Sequence, residues 1–220
     1  MRILQLLPEL KFGGVERGTV DLSQHLTRLG HQSAVVSAGG GLTEQLSNHG
    51  AKHFFLPIDK KNFLAIKQYK NLREIYLEFK PDIIHVRSRF PAWINVLALK
   101  GLPSSKPIVI STFHGLYSKP FYSKSMSYAN DIIAISKTVQ EYVFKNYDVD
   151  HSRVHLIYRG CDIDEFNTSP PSEDWSNSWY KEFPQTSNKI LLTLPGRITG
   201  WKGIEDFLKL LSQLDQTQYH

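Results

Sequence analysis

Two cations toward the C-terminal end of the sequence, Arg197 and Lys202, stand either side of a short turn. The apolar residues Ile190, Leu191, Leu192 and Leu194 precede them and read as a buried strand that Pro195-Gly196 stops. Gly203 and the segment IEDFLKLL then open an amphipathic helix. A helix N-terminus presents free N–H groups and partial positive charge, so two cations at its mouth suit a diphosphate.

Three further groups of residues have the types that touch ligands. Gly13-Gly14 falls between an expected strand and an expected helix. A residue without a Cβ there lets the backbone come close to a phosphate or a sugar, although a plain tight turn would look the same. His114, in Thr112-Phe113-His114-Gly115, follows a strand end. It is either structural or a hydrogen-bonding group for a sugar hydroxyl or a developing charge near neutral pH. His85, Arg87, Ser88 and Arg89 also sit at a strand end, as ligand contacts or as salt-bridged loop residues. No Cys/His spacing fits a metal, so no metal site is expected, and neither a GxSxG elbow nor a P-loop is present.

The elements that must position these groups alternate. Strands are expected over residues 2–7, 31–37, 52–56, 82–86, 107–112, 131–135 and 153–158. Helices are expected over 15–29, 42–49, 62–79, 91–100, 121–128 and 136–146, with Asn62 and Ser136 as N-caps. Such alternation implies an α/β fold with a doubly wound parallel sheet, in which ligands sit at the carboxyl ends of the strands. The loops at 11–14, 39–41, 87–89, 113–116 and 159–162 are therefore the ones that can hold a site, with 39–41 read mainly as a flexible connector. Residues 168–187 are polar with three prolines and read as an interdomain linker. The expected organisation is an N-terminal domain over 1–167, that linker, and the start of a second domain over 188–220.

The composition, 41% hydrophobic and 21% charged, is that of a soluble globular protein with a real core. Cys161 is the single cysteine, so no intrachain disulfide can form and a reducing, cytoplasmic setting is the default. The N-terminal segment MRILQLLPEL lacks a small-residue cleavage site, and no apolar run approaches a membrane span. The 26 basic against 21 acidic residues favour an anionic partner. Between residues 60 and 80, Lys60, Lys61, Lys67, Lys70, Arg73 and Lys80 are mixed with Phe63, Tyr69 and Tyr76. This is either a solvated helix face or a patch that touches anionic membrane lipids or an anionic acceptor. No nucleic-acid-binding module is visible.

Six segments together, in order, resemble the retaining nucleotide-sugar glycosyltransferases of family 4 (group 1). They are FGGVER at 12–17, DIIHVRSRFPAW at 82–93, STFHG at 111–115, DIIAISK at 131–137, IYRGCDIDEF at 157–166 and GRITGWKGIEDFL at 196–208. The RSRxPAW variant is similar to bacterial members that build lipopolysaccharide or other surface glycans. The resemblance implies a GT-B fold of two facing Rossmann-like domains, the second represented only by its first strand, turn and helix.

It also implies transfer of a hexosyl group from a nucleoside-diphosphate-sugar to a lipid-linked or surface-glycan acceptor, with retention and without a metal or other cofactor. Arg197 and Lys202 then hold the diphosphate and stabilise the leaving group, as fixed cations facing developing charge. Gly13 and Gly14 lie against the donor phosphates and sugar, His114 contacts the transferred sugar, and Arg87, Ser88 and Arg89 fall on the acceptor side. Arg87 stands where relatives often carry a second histidine. The family's Glu-x7-Glu motif and most of the nucleotide pocket would lie beyond residue 220, so the chain is expected to act as an N-terminal fragment inactive alone. The alternatives are a truncated scaffold protein of the same fold and a two-domain nucleotide-sugar epimerase. An exposed apolar surface around residues 197–214 would favour self-association.

Overall fold

A computed structural model describes all residues except 103–105, 118–119, 165, 167 and 197. The chain divides into two compact units, Met1–Gly160 and Cys161–His220.

Unit 1 is built on seven parallel strands among the described residues: β1 (Arg2–Leu6), β2 (Gln32–Ser37), β3 (Lys52–Phe55), β4 (Ile83–Val86), β5 (Ile108–Phe113), β6 (Asp131–Ala134) and β7 (Val154–Leu156). Their order across the sheet is β3-β2-β1-β4-β5-β6-β7. The direction of strand addition reverses between β1 and β4, so a crevice opens there at the carboxyl edge. Register at the centre pairs Gln5 with His85 and Leu6 with Val86. The expectation of a doubly wound parallel sheet holds.

Helices cross between the strands: α1 (Gly14–Arg28), α2 (Thr43–Asn48), α3 (Phe63–Lys67), α4 (Tyr69–Phe79), α5 (Arg89–Leu99), α6 (Pro120–Ser123) and α7 (Lys137–Asn146). The helix expected over 62–79 is two helices, with Gln68 at the junction. The caps read from sequence form: Asn62 Oδ1 accepts from Ala65 N at 2.8 Å, and Ser136 Oγ accepts from Val139 N at 3.2 Å.

Alternation along each strand divides the core. Leu4, Leu6, Ala34, Val36, Ile84, Val86, Phe113 and Ile132 face one cluster, while Leu7, Val20, Val35, Leu42 and Leu46 form a second under α1 and α2. Both faces of a parallel sheet are covered this way, which is why the strands read as continuous apolar runs. On the α1 side, however, the central strands carry Gln5, His85 and Thr112, all buried.

The loop at 39–41 differs from the flexible connector expected. Gly40 has φ of 150° and packs so closely on the backbone of Leu10 and Lys11 that a Cβ has no room. Leu10 N donates to the Gly39 carbonyl and Leu42 N to the Leu10 carbonyl, tying the two loops together.

Unit 2 contains α8 (Glu173–Glu182) and α9 (Ile204–Gln213). Helix α8 lies within residues 168–187, read as a linker from sequence. Ser172 caps it by accepting from Trp175 N, and Trp175 stacks on Trp179. The run at 190–194, expected as a strand, forms only an isolated parallel bridge from Ile190 to Tyr219. Ile190 N donates to the Gln218 carbonyl and Leu192 N to the His220 carbonyl, on either side of α9. The expected burial of this run does not occur: Ile190 is 57% exposed, because a single bridged neighbour covers little of it. Gly203, at φ 71°, turns the chain into α9.

Candidate functional site

Gly13, Gly14, Arg87 and His114 gather at the carboxyl edge of unit 1, where β1, β4 and β5 end. Gly13 caps α1 and Gly14 is its first residue, so the free N–H groups of a 15-residue helix point at this edge. Arg159, just past β7, reaches back to donate to the Gly14 carbonyl. Its guanidinium occupies the space beside Gly18: a Cβ there would lie 2.5 Å from Arg159 Nη2 and 3.3 Å from Arg87 Nη2, so a larger residue would displace the Arg159 side chain. The two glycines of the first turns thus admit two arginines to one helix face.

Arg87 is 7% exposed. Its Nη1 donates to Gln5 Oε1 at 3.1 Å, and Gln5 is itself fixed, donating to the Thr19 carbonyl at 2.9 Å and to Ser23 Oγ at 2.8 Å. Arg87 Nε has no hydrogen-bond partner among the described residues. Burial and the neighbouring Arg159 charge lower the Arg87 pKa to about 10, against a weaker pull from Glu16 and Asp21. It remains cationic at neutral pH. Among the described residues no carboxylate lies within salt-bridge distance of Arg87 or Arg159.

Two histidines complete the cluster. His85 is buried and shares a 2.7 Å hydrogen bond between Nε2 and Thr112 Oγ1. Burial first, then Arg87 and His114, hold it well below the usual histidine range. His114 follows β5 and is half-buried, yet both its ring nitrogens are shielded and lack partners among the described residues. Burial, Arg87 and Arg159 lower its pKa to about 3, so it is neutral imidazole at pH 7. A neutral imidazole can give or take a hydrogen bond from a hydroxyl, but it is not poised to donate a proton as an acid.

Arg89 does something different. Its guanidinium lies over the Tyr117 ring at 4.7 Å and the Tyr122 ring at 5.2 Å, at the start of α5. It braces the loop after β5 against α5. Ser88 is the N-cap position of α5, and its side chain makes no capping bond.

Of the other predicted residues, Lys202 lies in unit 2, exposed at the end of a short 3₁₀ turn, Gly200–Lys202. Arg197 lies outside the described residues. Gly13, Gly14, Arg87 and His114 are brought together, while Arg89 is held in its aromatic bracket. Arg159, Gln5 and Thr112 carry no predicted role, although the loop at 159–162 is among those expected to line a site. The signal for Arg159 is its place one residue before a glycine at a strand's carboxyl end.

The basic and aromatic patch over 60–80 resolves into two parts. Tyr76 is buried and donates to Asn95 Oδ1 at 2.7 Å, and Arg73 donates to the Ala98 carbonyl, so both belong to the α4–α5 packing. Lys60, Lys61, Phe63, Leu64, Lys67 and Lys70 are exposed, with Phe63 at 68% and Leu64 at 70%.

Comparison with known proteins agrees with this architecture. The chain is 24% identical over 92% of its length to an uncharacterized glycosyltransferase of Methanocaldococcus jannaschii, of which it covers 56%. A crystal structure of a glycosyltransferase from Rickettsia africae superposes with a TM-score of 0.81 at 32% identity, covering 97% of this chain and 57% of that one. Anabaena HepE, solved with UDP and glucose, superposes at 0.79 with 19% identity, covering 99% and 59%. The chain therefore spans somewhat more than half the length of these proteins. The family model for Glycosyltransferase Family 4 matches residues 12–165, from the FGG turn through the loop that carries Arg159, and on that match the chain belongs to glycosyltransferase family 4.

Proposed function

We propose that this chain is the acceptor-side part of a retaining glycosyltransferase that moves a hexosyl group from a nucleoside-diphosphate-sugar to a lipid-linked or surface-glycan acceptor. The observation that carries this reading is the meeting of Gly13-Gly14 and His114 at one sheet edge. They are about a hundred residues apart in sequence and are joined there by Arg159, which bonds to Gly14 and, after burial and Arg87, adds to the lowering of the His114 pKa. HepE, of the same fold, is solved with UDP and glucose.

In this reading the donor diphosphate approaches the α1 N-terminus, and Arg197 and Lys202 supply positive charge where the leaving oxygen becomes negative. Those cations and the helix N-terminus stand in for a metal. His114, neutral, hydrogen-bonds a hydroxyl of the transferred sugar rather than protonating it. Ser88 and Arg89 belong to the acceptor side. The exposed Lys60, Lys61, Phe63, Leu64 and Lys67 suit peripheral contact with an anionic lipid surface on the cytoplasmic side. No helix among the described residues is long and apolar enough to cross a membrane.

The test is sugar transfer and donor hydrolysis from a panel of nucleoside-diphosphate-sugars, wild type against Lys202→Ala, in the longest polypeptide carrying this sequence. A loss of roughly 10²–10³ in kcat is expected for removal of one fixed charge-stabilising group. Equal rates would overturn the assignment of Lys202. Absence of turnover with every donor would overturn the transferase reading in favour of a scaffold protein, and the 220-residue chain alone is expected to be inactive.

A further inference from the structure

The cluster at the carboxyl edge of unit 1 holds more positive charge than the described residues satisfy. Arg87 and Arg159 place their guanidiniums on the same face of α1, each within contact range of the Gly18 position. No described carboxylate pairs with either, and both surrounding histidines are neutral. Arg87 is more than nine-tenths buried, and its Nε has no hydrogen-bond partner among the described residues. Burying a guanidinium beside a like charge with a donor left over is costly. A site that keeps this arrangement is organised to receive an anion.

The donor diphosphate does not account for all of it. A diphosphate at the N-terminus of α1 meets the exposed Gly13 and Gly14 N–H groups. Arg87 lies deeper, beneath that turn, bonded to Gln5 on the central strand and electrostatically coupled to His114. His114, with both ring nitrogens unpartnered among the described residues, marks where a sugar hydroxyl would sit. An acidic group next to that sugar is the chemistry that would meet Arg87 Nε and the outer Arg159 together.

We infer that the side-chain cluster of Arg87, Arg159 and His114 recognises an acidic substituent, a carboxylate or a phosphate monoester, on a sugar ring of the substrate. This rests on the transferase reading and adds to it the class of sugar: one reactant is an acidic sugar rather than a neutral hexose. Arg87 and Arg159 clamp the anion, and His114 selects the hydroxyl beside it. Glu16 and Asp21, the acidic residues that act on Arg87, stay on α1 and limit the cluster's net charge.

The test is isothermal titration of the 220-residue chain at neutral pH with glucuronate, glucose 6-phosphate, glucose and UDP. Either or both acidic sugars are expected to bind at least ~10-fold more tightly than glucose, the scale of one charge-assisted contact. Which of the two binds tells carboxylate from phosphate. Arg87→Gln and Arg159→Gln are each expected to reduce that preference at least ~10-fold. Arg159 is exposed, so its variant keeps the measurement valid even if the Arg87 variant fails to fold.

Equal binding of acidic and neutral sugars, or no binding of either acid up to about 10 mM, would overturn the inference. So would an acid preference that survives Arg159→Gln. Arginine-dependent binding of UDP without any acidic-sugar preference would assign the cluster to the donor diphosphate and overturn it as well. None of these results bears on donor turnover, so failure here leaves the transferase reading to its own assay.

Discussion

Replacing Gly18 by alanine separates the binding cluster from the stability of the helix beneath it. Alanine in a helix interior is favoured over glycine by about 0.8–1.0 kcal/mol. Against this, the new methyl would stand 2.5 Å from Arg159 Nη2 and 3.3 Å from Arg87 Nη2. The first atom is the free end of an exposed, flexible side chain, which swings away at the cost of its bond to the Gly14 carbonyl. A single hydrogen bond of this kind contributes about 0.5–1.5 kcal/mol. Arg87 is buried and bonded to Gln5, so it can give by only a few tenths of an ångström, which 3.3 Å requires.

Gain and loss are therefore about equal. Gly18→Ala should shift Tm by no more than ~4 °C, since about 2–4 °C corresponds to 1 kcal/mol for a domain of this size. Ligand recognition should nevertheless fall, because Arg159 has left the helix face. Thermal denaturation by circular dichroism, with the calorimetric titration repeated on the same sample, gives both readings. A Tm drop beyond ~8 °C would mean that Arg159 is fixed rather than yielding, and that its contact with α1 is structural. Unchanged acidic-sugar preference with an unchanged Tm would show that the arginine position does not matter for binding.

Two further outcomes follow from the geometry. His114 has a folded pKa of about 3, below its unfolded value near 6.5, and His85 is lowered too. The unfolded chain thus takes up protons first, so the contribution of the two neutral histidines is complete above pH 6.5 and is lost as pH falls toward 3. Urea midpoints measured between pH 7.5 and 4.5 should fall, less steeply in His114→Gln, and identical slopes would refute the assignment. Tyr76→Phe leaves Asn95 Oδ1 without its buried partner and should cost about 1–3 kcal/mol, measured by urea denaturation. No loss would mean that Asn95 finds another donor.

What the sequence discloses differs from element to element. Strands such as residues 82–86 are legible because a buried parallel strand is a continuous apolar run closed by turn residues. The caps Asn62 and Ser136 are legible because capping is a local contact, three residues long. Helix α8 is not, since the prolines that flank it and its polar residues have the composition of a connector, and the Ser172 cap is a weak signal within it. Tyr76 and Lys70 look alike within a basic stretch, and only the packing of α4 on α5 puts one inside and the other out.

At the site, residue types mark Gly14 and His114, but a charge cluster is a sum over distant loops. Gln5, His85 and Thr112 read as ordinary strand residues until the sheet order sets them side by side. Arg159 becomes informative only when the chain returns it to a helix that began about 145 residues earlier.

That sheet order also governs how the protein emerges during synthesis. Strands β1, β2 and β3 can pair as soon as they appear, but β1 is then the edge of a three-stranded sheet until β4 arrives. About thirty residues separate the ends of β3 and β4, roughly 1.5–6 s at ribosomal rates of 5–20 residues per second. During that interval the row of N–H and C=O groups from Arg2 to Leu6 is open to pairing with another nascent chain. Slowing translation between residues 56 and 86 should therefore raise misassembly of the first three strands, whereas a pause after residue 113 should not.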